Sequence, residues 1–486
     1  MTLVKIAELD PRTAPAFPDA AHGLLRNTQL RKNVAHATDV IQAKRNALAA
    51  EKSDWQELRS AGAAIRREAL RRLDVYLEQF ERNCTAAGGK VHWARDADEA
   101  RTIVLGLIRE QAANEVIKIK TMTSAEIELN SYLEANGVRA HETDLAEIIL
   151  QLGHDQPSHI VAPALHVNRQ QVRETFARAM NLPGLTDDPQ ELTAAARNYL
   201  RQKFLTVKTA VCGVNFMVAE TGAVCIVESE GNGRMCLTLP DTLIAIAGIE
   251  KVIPHFSDLS VLLQTLPRSA TGERMNPYTS IWTGITPGDG PRNFHVVLLD
   301  NGRSDILGDA TARQTLQCIR CGACQNTCPV YRQTGGHAYG SVYAGPIGAI
   351  LTPQLLHMEH GGSLPYASSL CGACYEVCPV KINIPEVLVY LRGKVVARQS
   401  RSLRSSFDQE RIGMKMMARV FQSSSRFEAV QRLGQIAQKP FVASDGWMHK
   451  LPGMAGRWTA ARDLRAVPKE SFRDWWKSSR AKRATS

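Results

Sequence analysis

The sequence has no apolar run approaching the roughly 20 residues that cross a bilayer as a helix, and its opening residues, MTLVKIAELDPRTAPAF, lack the basic-then-apolar pattern of a secretory signal. Both absences lead us to expect a cytoplasmic chain without a transmembrane segment. No flavin or nicotinamide fingerprint stands between a strand and a helix, the context that such a motif requires. One stretch also lacks acids altogether, because no Asp or Glu occurs between Asp309 and Glu359. Residues 311–486 carry 25 Lys/Arg against 10 Asp/Glu, a net +15 within a total of +11, which leaves −4 for residues 1–310. A basic region often serves nucleic acid, but no nucleic-acid motif accompanies the charge here, so an anionic partner, substrate or membrane surface is expected instead.

The acid-free stretch contains the first of two cysteine motifs. Cys318, Cys321, Cys324 and Cys328 stand at C-x2-C-x2-C-x3-C before Pro329, and Cys371, Cys374 and Cys378 with Pro379 nearly repeat the pattern. Structural zinc also uses C-x2-C pairs, but it gathers four ligands around one ion from two separated knuckles. Four cysteines within eleven residues, followed by proline, follow the ligand order of two-cluster ferredoxins, in which the fourth cysteine serves the other cluster. Excluding acids near anionic clusters is ordinary electrostatics. Crossed ligation gives a complete set, Cys318, Cys321, Cys324 and Cys378, and an incomplete one, Cys328, Cys371 and Cys374, with Ser368 where a cysteine is missing. Two [4Fe-4S] clusters are expected. The second site is open to three alternatives: a [3Fe-4S] cluster, a four-iron cluster with a serine, water, partner or substrate ligand, or a fourth thiolate from Cys84, Cys212, Cys225 or Cys236.

At 486 residues and 44% apolar composition the chain can build two or three domains with real cores. Residues 1–85 form a helical segment, with two long helices expected over 24–83 from their apolar spacing. Residues 86–303 alternate strand and helix, which indicates an α/β domain with a mostly parallel sheet. Strands are expected at 90–94, 116–120, 138–142 and 159–162, and helices at 96–112, 124–136 and 145–152. Asp188-Pro189-Gln190-Glu191 opens a helix running to about 204, and 208–253 reads as buried strands. A helix over 311–317 leads into residues 304–400, a helical two-cluster domain, since 42 residues separate the motifs and 345–357 is partly helical. Helix is expected from Pro385 to about 422. Residues 401–486 form a basic C-terminal extension, irregular towards its end.

Several segments, in order, resemble the lactate-utilisation protein B family of iron–sulfur proteins. They are KTMTSAEIELN at 120–130, ETDLAE at 142–147, PSHIVAP at 157–163, AETG at 219–222, ESEGNGR at 228–234, GIEKVIP at 248–254, DNGR at 300–303, GGHAYGSVYAGPIG at 335–348 and KESFRDWW at 469–476. The resemblance implies an α/β lactate-utilisation domain, related in fold to the CoA-transferase and ribose-phosphate-isomerase group, then an α-helical dicluster ferredoxin domain. It implies the same two cysteine sets as cluster ligands, Ser368 being in keeping with this family. It also implies two companions, a cysteine-rich subunit of the heterodisulfide-reductase type and a second lactate-utilisation-domain protein, acting together to oxidise L-lactate to pyruvate.

Other candidate sites are weaker. Residues 228–234 could bind an anion through glycine N–H groups and Arg234, but a strand-connecting turn is the preferred reading. The glycines of 335–340 lack the setting of a phosphate loop. His141, His159 and His166 lie near expected strand ends, where a base could sit, although such histidines are commonly surface or satisfied core. Cys212, Cys225 and Cys236 read as inert buried thiols. Trp475 and Trp476 suit docking on protein in preference to peripheral membrane contact. The expected function is an electron-transfer subunit of an L-lactate-oxidising assembly, an oxidoreductase component with no catalytic residue assigned. The rivals are a relay for another 2-hydroxy acid or glycerol phosphate, and a ligand-gated iron–sulfur redox sensor.

Overall fold

The computed structural model describes residues 9–400 and 409–484. The chain divides into two compact units, residues 1–395 and 396–486. The expected N-terminal, α/β and two-cluster segments therefore share one body up to residue 395.

Four helices occupy the N-terminal region in place of the two expected: α1 (Phe17–Leu24), α2 (Thr28–Ala50), α3 (Trp55–Arg71) and α4 (Leu73–Ala86). Capping chemistry makes the first break, where the Asn27 side chain accepts from Leu30 N–H at 3.0 Å and starts α2 afresh.

The strands are β1 (Lys90–Ala94), β2 (Glu115–Lys118), β3 (Arg139–Glu142), β4 (Thr209–Gly213), β5 (Phe216–Val218), β6 (Ala223–Glu228), β7 (Thr242–Gly248), β8 (Val252–Ile253), β9 (Tyr278–Trp282) and β10 (Asn293–Leu299). Six form a sheet in the order β1-β10-β7-β4-β2-β3, with every pairing parallel. Both faces are covered, so the strands alternate between two cores: Ile244 and Ile246 of β7 enter one, while Leu243, Ala245 and Ala247 enter the other. A second sheet, β8-β5-β6-β9, shares a core with the cysteine region through Phe216, Val218, Ala223 and Ile253.

Several expected elements differ, and a helix, Asn232–Thr238, interrupts the strands expected over 208–253. The helix over 124–136 is split into Met122–Glu126 and Leu129–Ala135 by Glu128, whose φ is 50°. Residues 159–162 form a turn instead of a strand, because Nδ1 of His159 accepts both Val161 N–H (3.1 Å) and Ala162 N–H (3.0 Å) and removes those donors from any ladder. The lead-in to the cysteines is a 3₁₀ turn, Ala312–Gln317. An unforeseen helix, Arg169–Ala179, starts at a capping box of Asn168 with Gln171.

Helix Ile384–Ser400 carries Pro385 in its first turn, close to the expected start, and Gln409–Phe421 is again helical. The expected helix over 401–408 lies outside the described residues. The second unit is more regular than expected, with helices Ser424–Ala437 and Phe472–Ala484. Among the described residues, no helix is long and apolar enough to cross a membrane.

Candidate metal centre

Each cysteine motif is a loop wound around its own sulfurs. In the first, Arg320 and Gly322 take positive φ (62° and 74°), and a short helix, Ala323–Asn326, begins at once. In the second, Leu370 and Gly372 do the same (55° and 85°), and helix Ala373–Val377 follows. Left-handed residues on either side of Cys321 and of Cys371 curl the backbone so that the side chains converge and N–H groups turn inward. Arg320 N–H donates to Cys318 Sγ at 3.4 Å, Tyr331 N–H to Cys328 Sγ at 3.5 Å and Ile382 N–H to Cys378 Sγ at 3.3 Å.

The sulfurs do not group by motif. Cys321 feels the charges of Cys378 and Cys318, and Cys378 that of Cys318. Cys328 instead feels Cys371, and Cys374 feels Cys328 and Cys371. One cavity is lined by Cys318, Cys321, Cys324 and Cys378 together. Cys324 also feels Cys374, so the two groups adjoin.

As bare thiols these groups resist ionisation. Burial, then the neighbouring sulfurs, pushes Cys321 and Cys324 well up, and Cys374 to about 12. Burial likewise raises Cys378 to about 11. Four converging sulfurs in apolar surroundings are stable as thiolates only around cations, and the inward N–H groups suit the sulfurs of an iron–sulfur cluster. The donor set therefore fits such a group. Cys84, Cys212 and Cys236 are buried in a different core, Cys225 lies in the core that the motif cysteines share, and the charges acting on all four include no motif cysteine.

The surroundings are cationic, through residues that the sequence did not single out. Arg59 of α3 donates to Cys378 O (2.9 Å) and Tyr375 O (3.1 Å). Arg45 of α2 acts on Cys321 and Cys378. Arg66 of α3, fully buried, donates to the carbonyls of Val252 (2.9 Å), Leu316 (3.1 Å), Gln317 (3.3 Å) and Glu250. Glu250 holds Arg303 (2.6 Å) and Arg320 (3.3 Å) and is itself pulled down to about 2; burial opposes that shift, but the neighbouring cations outweigh it. Arg320 lies over the Tyr343 ring at 4.7 Å. Helical periodicity gives no signal for such arginines, because they look like the polar face of a surface helix.

The remaining candidates are committed to structure. The Glu228 carboxylate accepts the N–H groups of Gly231 (2.9 Å), Gly233 (3.0 Å) and Arg234 (2.8 Å), so the 228–234 loop holds its own anion; it differs from the expected strand-connecting turn in leading from β6 into a helix, Asn232–Thr238. Residues 335–340 join helix Tyr331–Thr334 to a 3₁₀ turn, not a strand to a helix. His159 uses Nδ1 in its turn and Nε2 against Asn326 Oδ1 (3.0 Å), and burial lowers its pKa to about 3. It fixes the 157–163 loop to the cluster region, where Ile160 N–H also bonds Gln325 Oε1 (3.2 Å) and Tyr331 Oη bonds Ser158 O (2.6 Å). His141 pairs with Glu115 (2.8 Å) and His166 with Asp155 (2.9 Å). At the carboxyl ends of β2 and β3, buried Lys118 pairs with Glu142 (2.6 Å) and Lys120 lies 3.8 Å from Glu147. Trp475 and Trp476 pack on Phe472 within their own helix.

Comparison with known proteins places these features in a family. Residues 77–299 match the LUD domain and residues 314–382 the 4Fe-4S dicluster domain. Lactate utilization protein B of Bacillus licheniformis is 42% identical over 468 residues, 96% of this chain and 97% of that protein. The Bacillus subtilis protein of the same name is 42% identical over 95% of this chain and 96% of its own, and that of Oceanobacillus iheyensis is 43% identical over 94% of each. A crystal structure of a DUF162 family protein from Deinococcus radiodurans aligns with 47% of this chain and 98% of its own at 11% identity and a TM-score of 0.27, too low to argue from. With crossed cysteine loops beside a parallel α/β sheet, and relatives that span nearly its whole length, the chain belongs to the lactate utilization protein B family of LUD-domain iron–sulfur proteins.

Proposed function

We propose that the chain is the electron-transfer subunit of a cytoplasmic assembly that oxidises L-lactate to pyruvate. Cys318, Cys321, Cys324 and Cys378 hold one [4Fe-4S] cluster, and Cys328, Cys371 and Cys374 hold a second. A cysteine-rich subunit and a second LUD-domain protein are the partners. The observation that carries this reading is the gathering of seven cysteines into two adjoining groups that cross the sequence motifs, in a chain whose relatives are named for lactate utilisation. Iron–sulfur clusters accept and donate single electrons, so two of them suit the relay of a two-electron oxidation. The protein's part is electrostatic: Arg45, Arg59, Arg66 and Arg320 offset the anionic charge of the first group, while exposed Cys371 brings the second group to the surface, where a partner can exchange electrons.

The test is anaerobic assay of the chain assembled with its two companions. L-Lactate should reduce the clusters, read by EPR, with pyruvate formed in step, and other 2-hydroxy acids and glycerol phosphate should turn over more slowly. Pyruvate formation with clusters that stay oxidised throughout turnover would overturn the relay role.

A further inference from the structure

The second cysteine group has three sulfurs, and the structure points to what stands in the fourth place. The two loops take positive φ at corresponding residues. Cys318-Ile319-Arg320-Cys321-Gly322-Ala323-Cys324 carries positive φ at Arg320 and Gly322, and Ser368-Ser369-Leu370-Cys371-Gly372-Ala373-Cys374 carries it at Leu370 and Gly372. A short helix starts at the same position in each, Ala323 and Ala373. The hydrogen bonds repeat too. Arg320 N–H donates to Cys318 Sγ at 3.4 Å, and Leu370 N–H donates to Ser368 Oγ at 3.1 Å. Ser368 Oγ thus makes, in its loop, the contact that Cys318 Sγ makes in the other.

The loop is also held in place. Arg392 donates to Ser368 O (3.3 Å) and Pro365 O (2.9 Å), with its guanidinium over the Tyr366 ring at 5.1 Å.

We propose that Ser368 Oγ is the fourth protein ligand of the second cluster, completing the set Cys328, Cys371, Cys374 and Ser368. As the iron–oxygen bond forms, the hydroxyl proton passes to water and no electron moves. A hard oxygen donor holds iron in a sulfide cluster less firmly than thiolate does, so this iron is the one lost first on oxidation. The inference rests on the two-cluster reading above.

The full chain, purified anaerobically, is compared with Ser368→Ala and Ser368→Cys by iron analysis, Mössbauer spectroscopy and EPR before and after brief oxidation. Wild type should hold about eight irons, one of them distinct in its Mössbauer parameters, and should gain an oxidised three-iron EPR signal only after oxidation. Ser368→Ala should fall to about seven irons and show that signal from the start. Ser368→Cys should keep about eight irons and suppress it. Unchanged spectra in both variants, at about eight irons, would overturn the serine ligand alone. About four irons in wild type would overturn the two-cluster reading with it. Ser368 is only half-buried, and the reduced signal of the first cluster reports whether each variant has folded.

Discussion

Replacing Arg66 by methionine tests how the N-terminal helices are joined to the cluster region. Its guanidinium is fully buried, and burial pulls its pKa down to about 10, so it is charged at neutral pH. It donates to carbonyls from two segments, Glu250 and Val252 on one side and Leu316 and Gln317 on the other. Methionine keeps most of the stem volume but strands four buried acceptors. At a net cost of about 1 kcal/mol for each lost bond, the expected destabilisation is about 4 kcal/mol, less what is regained by no longer burying a charge. Lysine keeps the charge but presents its donors from one point, so about half the loss is expected. Anaerobic urea unfolding, followed by far-ultraviolet circular dichroism and by visible cluster absorbance, reads both quantities. Since Gln317 adjoins Cys318, cluster absorbance should fall at lower urea in Arg66→Met. A change below about 1 kcal/mol, with the cluster retained to the wild-type midpoint, would refute the reasoning.

Two further outcomes follow from the same geometry. Cys378→Ala should abolish the same EPR centre as Cys318→Ala, and Cys328→Ala should resemble Cys371→Ala; losses that group by sequence motif would contradict the crossed arrangement. Burial pushes the Glu147 carboxyl up to about 7, against the opposing pull of Lys120. A raised folded-state pKa gives stability that is full below the unfolded value and is lost as pH rises through about 7. Glu147→Gln should therefore flatten the fall in melting temperature between roughly pH 5 and pH 8, and parallel profiles for the two proteins would count against it.

Much of the α/β architecture could be read from the sequence because its signals are local. Strand β1 falls at the expected residues, and Asp188 caps its helix with Pro189 in first position. The errors arise where a side chain overrides the pattern. His159 takes the donors that a strand would need, and Glu128 breaks a helix that apolar spacing alone would continue. The 228–234 loop reads as glycine-rich, but that Glu228 fills it depends on three N–H groups converging in space. The cysteine spacing names the sulfurs and leaves their surroundings unread. Three of the arginines around them, Arg45, Arg59 and Arg66, come from helices more than 240 residues earlier in the chain and carry no local mark; Arg66 and Gln317, for instance, are 251 residues apart.

The crossing of the cysteine groups also bears on the chain as a polymer. A centre that binds both Cys318 and Cys378 ties two points about 60 residues apart, and a cross-link closing a loop of that length removes about 4 kcal/mol of entropy from the unfolded chain. The second group, Cys328 with Cys371 and Cys374, closes a shorter loop inside the first. Each proposed centre would thus enclose the segment that carries helix Gly345–Leu355, nearly all of it buried, so that assembly of the metal sites and burial of that helix would become one event. Removing the metal would untie the chain at two nested places, and the helix between them would lose that constraint.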